Sequence, residues 1–460
     1  KIVVKTLILI AIISVIFVSD YSLSVSNFEN KELLIIDGYD ITPYNITWWG
    51  GDNEEGSAYA QTDSDGNLYV TCFTNSFGVT NDNIYIIKYN HNMSILWEKT
   101  WTTDDDAYPV GLILDSSKNV YIAGTIRTEI ETGVFSNDAF LLKYAPNGTK
   151  LWDTTTSTPT QNDNATDLAI APSGNIFVVG QTNSSQGGLF LQKYQSNGNL
   201  LSTYYYGNTS PRETILAEGI DIDDTGNIFV VGTTDNTIPA TNYKDLVLIK
   251  FNTTGYAEWN TTFGGDNIAD PDDFGYDLVI KDNYIFLVGN YFDVTTPSDA
   301  LIVKIDNTGL IVWNRTLNYA IDSGYSITLN HNSNPVIVGN TNYLDPNGNT
   351  FIAEYNSEGQ LLWNSTWNSG LADQAFDVCS FENYTYSIGR SYNNTSTSYD
   401  VTIVTYVDPT WTPYTPSYYT PGIGGIIVTY ILSVILGVGS IAIIGIIIFT
   451  YLRKEGYLGK

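Results

Sequence analysis

Apolar and polar positions alternate in short runs along most of this chain, and one run recurs seven times at a spacing of about 50–57 residues. It is a β-branched or aromatic stretch that ends in Gly in six copies and in Cys in the first, at residues 67–72, 119–124, 175–180, 227–232, 284–289, 335–339 and 384–389. Such runs predict strands buried on both faces. Repeats of this length indicate units that bury their apolar faces only against one another.

Each repeat contains three further strand signals. In the third unit these are residues 165–170, 189–194 and 200–205, and the turns between strands contain Gly, as at Asn197–Gly198. Gly supplies the positive φ that tight hairpin turns need. Four antiparallel strands in each of seven units predict an all-β chain that folds as a seven-bladed β-propeller of four-stranded blades. A β-solenoid would need shorter and more uniform repeats.

The two ends of the array predict how the ring closes. The last unit has a third strand, Asp400–Tyr406, but the chain then enters a Pro-rich stretch. Residues 44–51 precede the first unit and match residues 259–265, which begin at a fourth-strand Trp, so they look like a fourth strand without a blade. Pairing residues 44–51 with the last third strand would hide both free edges. Trp411 as part of the last unit's own outer strand is the alternative.

The termini predict an exported protein anchored in a membrane. A Lys-flanked apolar run followed by Ser-rich sequence is typical of a signal peptide. Ile426–Tyr451 is a charge-free apolar run of 26 residues followed by basic residues, which indicates a transmembrane helix with a cytoplasmic C-terminus. The predicted segments are a signal peptide (1–26), a lead-in (27–43), the propeller (44–408, repeats ending near 97, 152, 205, 259, 313, 363 and 407), a Pro/Thr/Tyr-rich stalk (409–421), the transmembrane helix (422–452) and the tail (453–460).

Composition excludes some partners and suggests a modification. Asp and Glu outnumber Lys and Arg by 49 to 20, a net charge of −29, so nucleic acid is not an expected partner. Thirteen Asn-x-Ser/Thr sequons fit an extracellular location and are candidate glycosylation sites. They are Asn45, Asn92, Asn147, Asn164, Asn183, Asn208, Asn252, Asn260, Asn314, Asn364, Asn383, Asn393 and Asn394.

Few residues suggest chemistry. Carboxylates in turn-like sequence make Asp63, Asp65, Asp221 and Asp223 candidate Ca²⁺ ligands, although Asp63–Asn67 is equally explained as a turn. Cys72 and Cys379 lie in the first and last repeats, so a disulfide across the closed ring is one option and two buried thiols are the other. No catalytic constellation and no cofactor motif is recognisable. A Lys recurs in the third strands, and we expect it to have a structural role and to pair with an Asp of a nearby strand or turn.

Aromatic residues offer candidate ligand contacts. Most Trp residues stand at the starts of fourth strands, in positions that predict packing between neighbouring blades, with a Tyr in that role in the third unit. Trp48, Trp367 and Tyr204–Tyr206 are the residues expected to be partly exposed.

The repeat resembles the SBBP β-propeller repeat family. The matching residues are Asp63–Asn67, Asp223–Asn227, Trp259–Gly265 and the Lys-aromatic ends of the third strands. The resemblance covers residues 44–407 and implies the fold more than an activity. The last two units depart from it, since Glu354 and Thr405 replace the third-strand Lys.

These features together are typical of membrane-anchored surface propellers of the archaeal type. The expected function is cell-surface recognition or adhesion, with an extracellular protein or glycan as ligand, bound where loops such as 125–137, 233–244 and 290–298 gather. A carbohydrate-active envelope enzyme (a lyase or hydrolase) and a structural envelope component are the alternatives. No enzyme activity and no cofactor is expected, with Ca²⁺ the one candidate ion.

Overall fold

The computed structural model describes residues 39–40, 42–51, 53–77, 81–156, 162–183, 188–207, 215–235, 244–263, 272–292, 298–317, 322–342 and 348–409. They belong to the first of the two units into which the chain divides, 1–409 and 410–460. Within the described ranges, no helix is long and apolar enough to cross a bilayer. The predicted signal peptide, transmembrane helix and tail lie outside those ranges, as do Asn208, Trp411 and all of the predicted stalk except Pro409.

Two strands precede the repeats, β1 (Tyr39–Asp40) and β2 (Asn45–Trp49). Blade 1 contains β3 (Glu55–Thr62), β4 (Leu68–Thr74), β5 (Asn83–Tyr89) and β6 (Ile95–Trp101). Blade 2 contains β7 (Asp106–Leu114), β8 (Val120–Glu131), β9 (Val134–Tyr144) and β10 (Lys150–Thr156). Blade 3 contains β11 (Asp163–Ile170), β12 (Ile176–Thr182), β13 (Leu189–Tyr194) and β14 (Leu200–Tyr206).

The remaining blades follow the same plan. Blade 4 contains β15 (Ile215–Ile222), β16 (Ile228–Asp235), β17 (Lys244–Phe251) and β18 (Ala257–Phe263). Blade 5 contains β19 (Phe274–Lys281), β20 (Tyr284–Tyr291), β21 (Asp299–Asp306) and β22 (Ile311–Leu317). Blade 6 contains β23 (Asp322–Leu329), β24 (Pro335–Thr341), β25 (Asn349–Tyr355) and β26 (Leu361–Trp367). Blade 7 contains β27 (Asp373–Phe381), β28 (Tyr384–Asn393) and β29 (Ser398–Val407).

The predicted fold is confirmed: there are seven blades of four antiparallel strands, in sequential order in blades 1–6 and completed by β2 in blade 7. The first strand of every blade lines a central channel, and apolar clusters fill the spaces between neighbouring blades. β1 adds a fifth, parallel strand to the outer edge of blade 6, where Tyr39 pairs with Trp363.

The ring closes as the sequence predicts. β2 is the fourth strand of blade 7, in antiparallel register from Asn45 opposite Thr405 to Trp49 opposite Val401. Trp49 also stacks on Tyr85 of blade 1, with ring centroids 4.3 Å apart. The segment before blade 1 therefore completes the sheet of blade 7 and also packs on blade 1. The pairing covers the edges that β2 and β29 would otherwise expose.

The fourth-strand Trp residues join neighbouring blades. Four of them, Trp97, Trp152, Trp259 and Trp313, pack on the Gly in the next blade's hairpin turn. Three indoles donate Nε1–H bonds to turn carbonyls of the next blade, Trp97 to Pro146, Trp152 to Ser196 and Trp313 to Ser357, at 2.9, 3.3 and 3.0 Å. In blade 3 a Tyr has this role, as predicted: Tyr204 packs on Gly255, although the residue opposite Lys193 in the register is Ser202.

The recurrent third-strand Lys is structural, as expected, but an Asp is not always its partner. Lys88 and Lys143 lie 3.8 and 3.6 Å from Asp63 and Asp115. Lys250 instead pairs with Glu258 at 3.1 Å, and Lys304 donates to the Ser357 carbonyl at 2.9 Å.

Blade 6 has Glu354 in place of that Lys for a visible reason. β2 supplies the fourth strand of blade 7, so that blade has no hairpin turn to receive a hydrogen bond from the blade 6 Trp. Glu354 accepts the Trp363 Nε1–H bond within the blade. Glu354 thus replaces the hydrogen-bond acceptor that a hairpin turn in blade 7 would have provided.

The two cysteines are not bonded to each other. Cys72 and Cys379 are free, buried thiols in one apolar cluster between blades 7 and 1. Burial raises the pKa of both thiols well above the usual range, which keeps them protonated and unreactive. Of the two options that the sequence left open, the structure has the separate thiols.

The Gly at the end of the apolar run in the second strands of blades 2–7 is required because a backbone carbonyl of the first strand lies against it. A β-bulge in the first strand directs a carbonyl at this position, so a Cβ on Gly289 would lie 2.0 Å from the Phe274 oxygen and one on Gly339 1.9 Å from the Ser323 oxygen. Blade 1 accommodates Cys72 because its first strand has two unpaired residues, Ser57 and Ala58, and Ser57 takes a φ of 49°.

We expect Gly289→Ala to lower the free energy of unfolding by about 1–3 kcal/mol, because its methyl group must displace a backbone carbonyl. Cys72→Ala is the matched control, since it places the same methyl at the equivalent position of blade 1 and should cost less than half as much. Urea unfolding measures both. Equal losses in the two variants would contradict this account of the Gly.

Candidate functional site

A channel of about 450 Å³ runs between the first strands of all seven blades. Five of its lining residues are acids: Asp167, Glu218, Asp221, Asp277 and Asp377. Among the described residues that line it, none is Lys, Arg or His. The channel is therefore a concentrated source of negative potential in a protein that is already acidic.

The β-bulges place one set of side chains at a common level of the channel. In blades 2–7 the first strand has a single residue that the pairing register skips. These residues form what we call the bulge ring: Val110, Thr166, Glu218, Tyr276, Tyr325 and Phe376. Bulges re-aim a side chain without ending the strand, and here they turn one Glu and three aromatic residues into the channel.

The next level of the channel holds three aspartates, Asp167, Asp277 and Asp377, which follow the bulge in blades 3, 5 and 7. Each Oδ1 accepts the N–H of the following residue, and each Oδ2 accepts an N–H from the next blade. The cross-blade donors are Ile220, Ile327 and Ala60, at 2.9, 2.9 and 2.7 Å. Asp221, two residues further along blade 4, does the same with Ile280 at 2.8 Å. These four carboxylates thus link neighbouring blades.

Ser326 connects two of these acids and fixes a proton between them. Its Oγ lies 2.9 Å from Asp277 Oδ2 and 2.9 Å from Asp377 Oδ1. A hydroxyl has only one hydrogen to donate, so a full set of hydrogen bonds needs a proton on one carboxyl group, which then donates to Ser326. Burial, with the charge of Asp277, raises the pKa of Asp377 to about 7, and burial raises that of Asp277 to about 6.

Glu218 differs from the four aspartates. It accepts a hydrogen bond from the Gln181 side-chain amide, at 3.3 Å, and no backbone N–H of the described residues donates to it. Burial raises its pKa to about 7. In the bulge ring it shares the channel mouth with Tyr276 and Tyr325, whose ring centroids lie 5.2 Å apart. Glu218 is thus the channel acid that is least committed to holding blades together.

The predicted Ca²⁺ ligands do not form one site. Asp63 and Asp223 each accept several N–H bonds inside their own turns, from Asp65 and Asn67 and from Thr225 and Asn227. Burial opposes ionisation of both, but these bonds outweigh it and lower both pKa values. Asp65 pairs with Lys118, and Asp221 lies in the channel. Within the described ranges, no three acidic, His or Cys residues are grouped to hold a metal.

The aromatic candidates separate into two kinds. Trp48 is 43% exposed, whereas Trp367 beneath it is only 8% exposed, with ring centroids 5.9 Å apart. Tyr204–Tyr206 are half-buried and line a second, smaller groove between blades 3 and 4.

The sequons that the structure describes also differ. The exposed ones are Asn45, Asn92, Asn147, Asn183, Asn260, Asn314 and Asn394. Asn164, Asn252, Asn364 and Asn393 are half-buried. Asn383 is buried at 3% exposure, so a glycan there would have to be attached before blade 7 folds.

Sequence reasoning missed Asp167, Glu218, Asp277 and Asp377. A signal for the aspartates was present, because each is followed by an apolar pair inside the segment that forms a first strand. An acid within an otherwise apolar inner strand of a ring has only the channel to face.

No protein-family model and no curated protein matches the sequence. Solved structures do match. The virginiamycin B lyase of Staphylococcus aureus superposes with a TM-score of 0.50 at 11% identity, covering 78% of this chain and 98% of that one. A protein of unknown function from Dyadobacter fermentans gives 0.45 at 8% identity (71% and 98% covered), and Sqt1 of Chaetomium thermophilum, bound to the N-terminus of ribosomal protein L10, gives 0.44 at 8% identity (78% and 98%). At these identities the similarity shows the fold alone, a seven-bladed β-propeller.

Proposed function

We propose that this chain is a cell-surface recognition module that binds a cationic group at the mouth of its channel. The predicted export signal and C-terminal membrane segment support an extracellular propeller tethered to the membrane. The SBBP resemblance and the sequons are consistent with that location. Recognition of a protein or glycan partner is the role that fits an acidic, aromatic-lined ring without a recognisable catalytic set.

The observation that carries the proposal is the composition of the channel mouth. Glu218 lies among Tyr276, Tyr325 and Phe376 in the bulge ring, above further carboxylates. Aromatic faces and carboxylates both attract ammonium and guanidinium groups. None of the described lining residues is basic, so a ligand cation would supply the positive charge that balances these carboxylates.

We expect tetramethylammonium, spermidine or a Lys-rich peptide to bind the purified protein, with a dissociation constant that weakens as salt rises. Glu218→Gln should weaken binding at least tenfold, because it removes the accessible charge and keeps the shape. Glu131→Gln, on an exposed hairpin, is the matched control and should bind as the parent does. Isothermal titration calorimetry at pH 8 measures all three. Equal affinities for the parent and Glu218→Gln, or no binding of any cation, would overturn the proposal.

One observation favours the alternative, a carbohydrate-active enzyme. A carboxyl group with a pKa near 7, such as Glu218, is suited to act as a general acid at neutral pH. Incubating the parent protein with acidic and amino-sugar polysaccharides, and measuring new reducing ends or unsaturated products, distinguishes the two roles. Turnover that Glu218→Gln abolishes would favour the enzyme.

A further inference from the structure

The outer rim of the ring has a groove of about 340 Å³ between blades 3 and 4. Its walls are Thr203–Tyr206 on one side and Phe251 with Gly255–Ala257 on the other. The Tyr204 ring lies over Gly255 and meets Tyr256 edge to face, with centroids 5.9 Å apart. Tyr206 packs edge to face on Phe251 at 5.6 Å.

The groove exists because this junction lacks a Trp. At the equivalent position, Trp97, Trp152 and Trp313 fill the space above the next blade's turn. In blade 3 Ser202 stands there, and Tyr204, two residues further along the strand, lies over Gly255 instead. A phenol ring is smaller than an indole, and the groove beside it is lined by Tyr204–Tyr206 and by Tyr256, which is 68% exposed.

The lining suits an uncharged ring that carries hydroxyl groups. None of the described residues that line the groove is charged, in a protein with a net charge of −29. Tyr rings offer broad faces for dispersion contacts with C–H groups, and their hydroxyls can donate and accept hydrogen bonds. A sugar ring has both kinds of surface.

The chain itself carries an attachment point for such a ring. Asn260 is exposed, lies on β18, and donates a hydrogen bond from Nδ2 to the Tyr206 hydroxyl at 2.9 Å. It begins the sequon Asn260–Thr261–Thr262. A sugar linked to Nδ2 would begin next to Tyr206.

We propose that Asn260 carries an N-linked glycan whose first sugar packs into this groove. Attachment forms a bond between Nδ2 and the anomeric carbon of a lipid-linked oligosaccharide pyrophosphate. The bond from that carbon to the phosphate oxygen breaks, and one amide proton goes to the released phosphate. The second Nδ2 hydrogen remains to bond Tyr206. The inference rests on the extracellular location in the proposed function, not on cation binding.

The ring supplies a matched control. Asn314 occupies the same strand position in blade 5, directly after Trp313, as Asn260 does after Trp259. It is also exposed and begins a sequon, Asn314–Arg315–Thr316. At that junction Trp259 covers Gly309. A difference in the rate of enzymatic release between the two glycans can therefore be attributed to the groove.

The test is to express the full chain in a eukaryotic secretory host and map occupied sequons by mass spectrometry. Endoglycosidase release from the native protein is then timed at both positions. We expect release at Asn260 to be at least tenfold slower than at Asn314, and Tyr204→Ser/Tyr256→Ser to remove the difference. We also expect Thr262→Ala to lower the melting temperature of the glycosylated protein, and Thr316→Ala to leave it unchanged.

An unoccupied Asn260, or equal release rates at the two positions, would overturn the proposal. A glycan on Asn314 would show in the same experiment that the protein is exported and glycosylated. If Asn260 alone carries no glycan, the groove proposal is wrong while the extracellular location stands. Cation binding is measured separately on unglycosylated protein, so the two proposals fail independently.

Discussion

Proline at one of two adjacent positions of β2 is expected to open the ring, while proline at the other leaves it closed. Ile46 and Thr47 lie opposite Val404 and Ile403 of β29. Alternate residues of an antiparallel edge strand direct their N–H groups to the partner strand and to solvent. The variant that removes a ladder bond should lose about 3 kcal/mol of unfolding free energy, because blade 7 then has an unpaired edge.

Urea unfolding of Ile46→Pro and Thr47→Pro, compared with the parent, measures the effect, and each variant is the other's control. Limited proteolysis near residues 42–51 should cleave only the open variant quickly. Identical unfolding midpoints for all three proteins would mean that the β2–β29 pairing does not stabilise the ring.

The second large effect expected is that the stability of the fold depends on pH. Burial raises the pKa of Glu218 and Asp221 to about 7, as it does for Asp377, and also raises that of Asp167 well above its usual range. Unfolded acids titrate near pH 4, so between about pH 4 and 7 the folded protein holds more protons than the unfolded chain. Stability is then greatest in mild acid, falls as pH rises through this window and is constant above it.

We expect thermal unfolding to occur at a higher temperature at pH 5 than at pH 8. Glu218→Gln should raise stability at pH 8 by about 1–3 kcal/mol and change it little at pH 5, because an amide needs no proton to remain neutral. Glu131→Gln should leave the profile unchanged. A protein that is more stable at pH 8 than at pH 5 would contradict the raised pKa values in the channel.

The sequence predicts the ring well because its evidence is local and repeated. The second-strand runs, the Gly turns and the Lys-aromatic endings specify four strands per unit, and the match between residues 44–51 and 259–265 predicts the closing strand. None of these patterns depends on knowing which blades touch.

The channel could not be predicted in the same way, because its residues become neighbours only after closure. Asp277 and Asp377 share Ser326 although they are about 100 residues apart in the chain. The position of Glu218 depends on a bulge, and a one-residue change of register carries no compositional signal.

The place of β2 has a kinetic consequence. Asn45 pairs with Thr405, so β2 waits for the synthesis of roughly 360 residues before its partner strand exists. At roughly 5–20 residues per second, that wait is about 20–70 seconds. Until then the ring is open, and β2 has backbone N–H and C=O groups that are free to pair with another chain. Synthesis of blade 7 provides β29, which covers them.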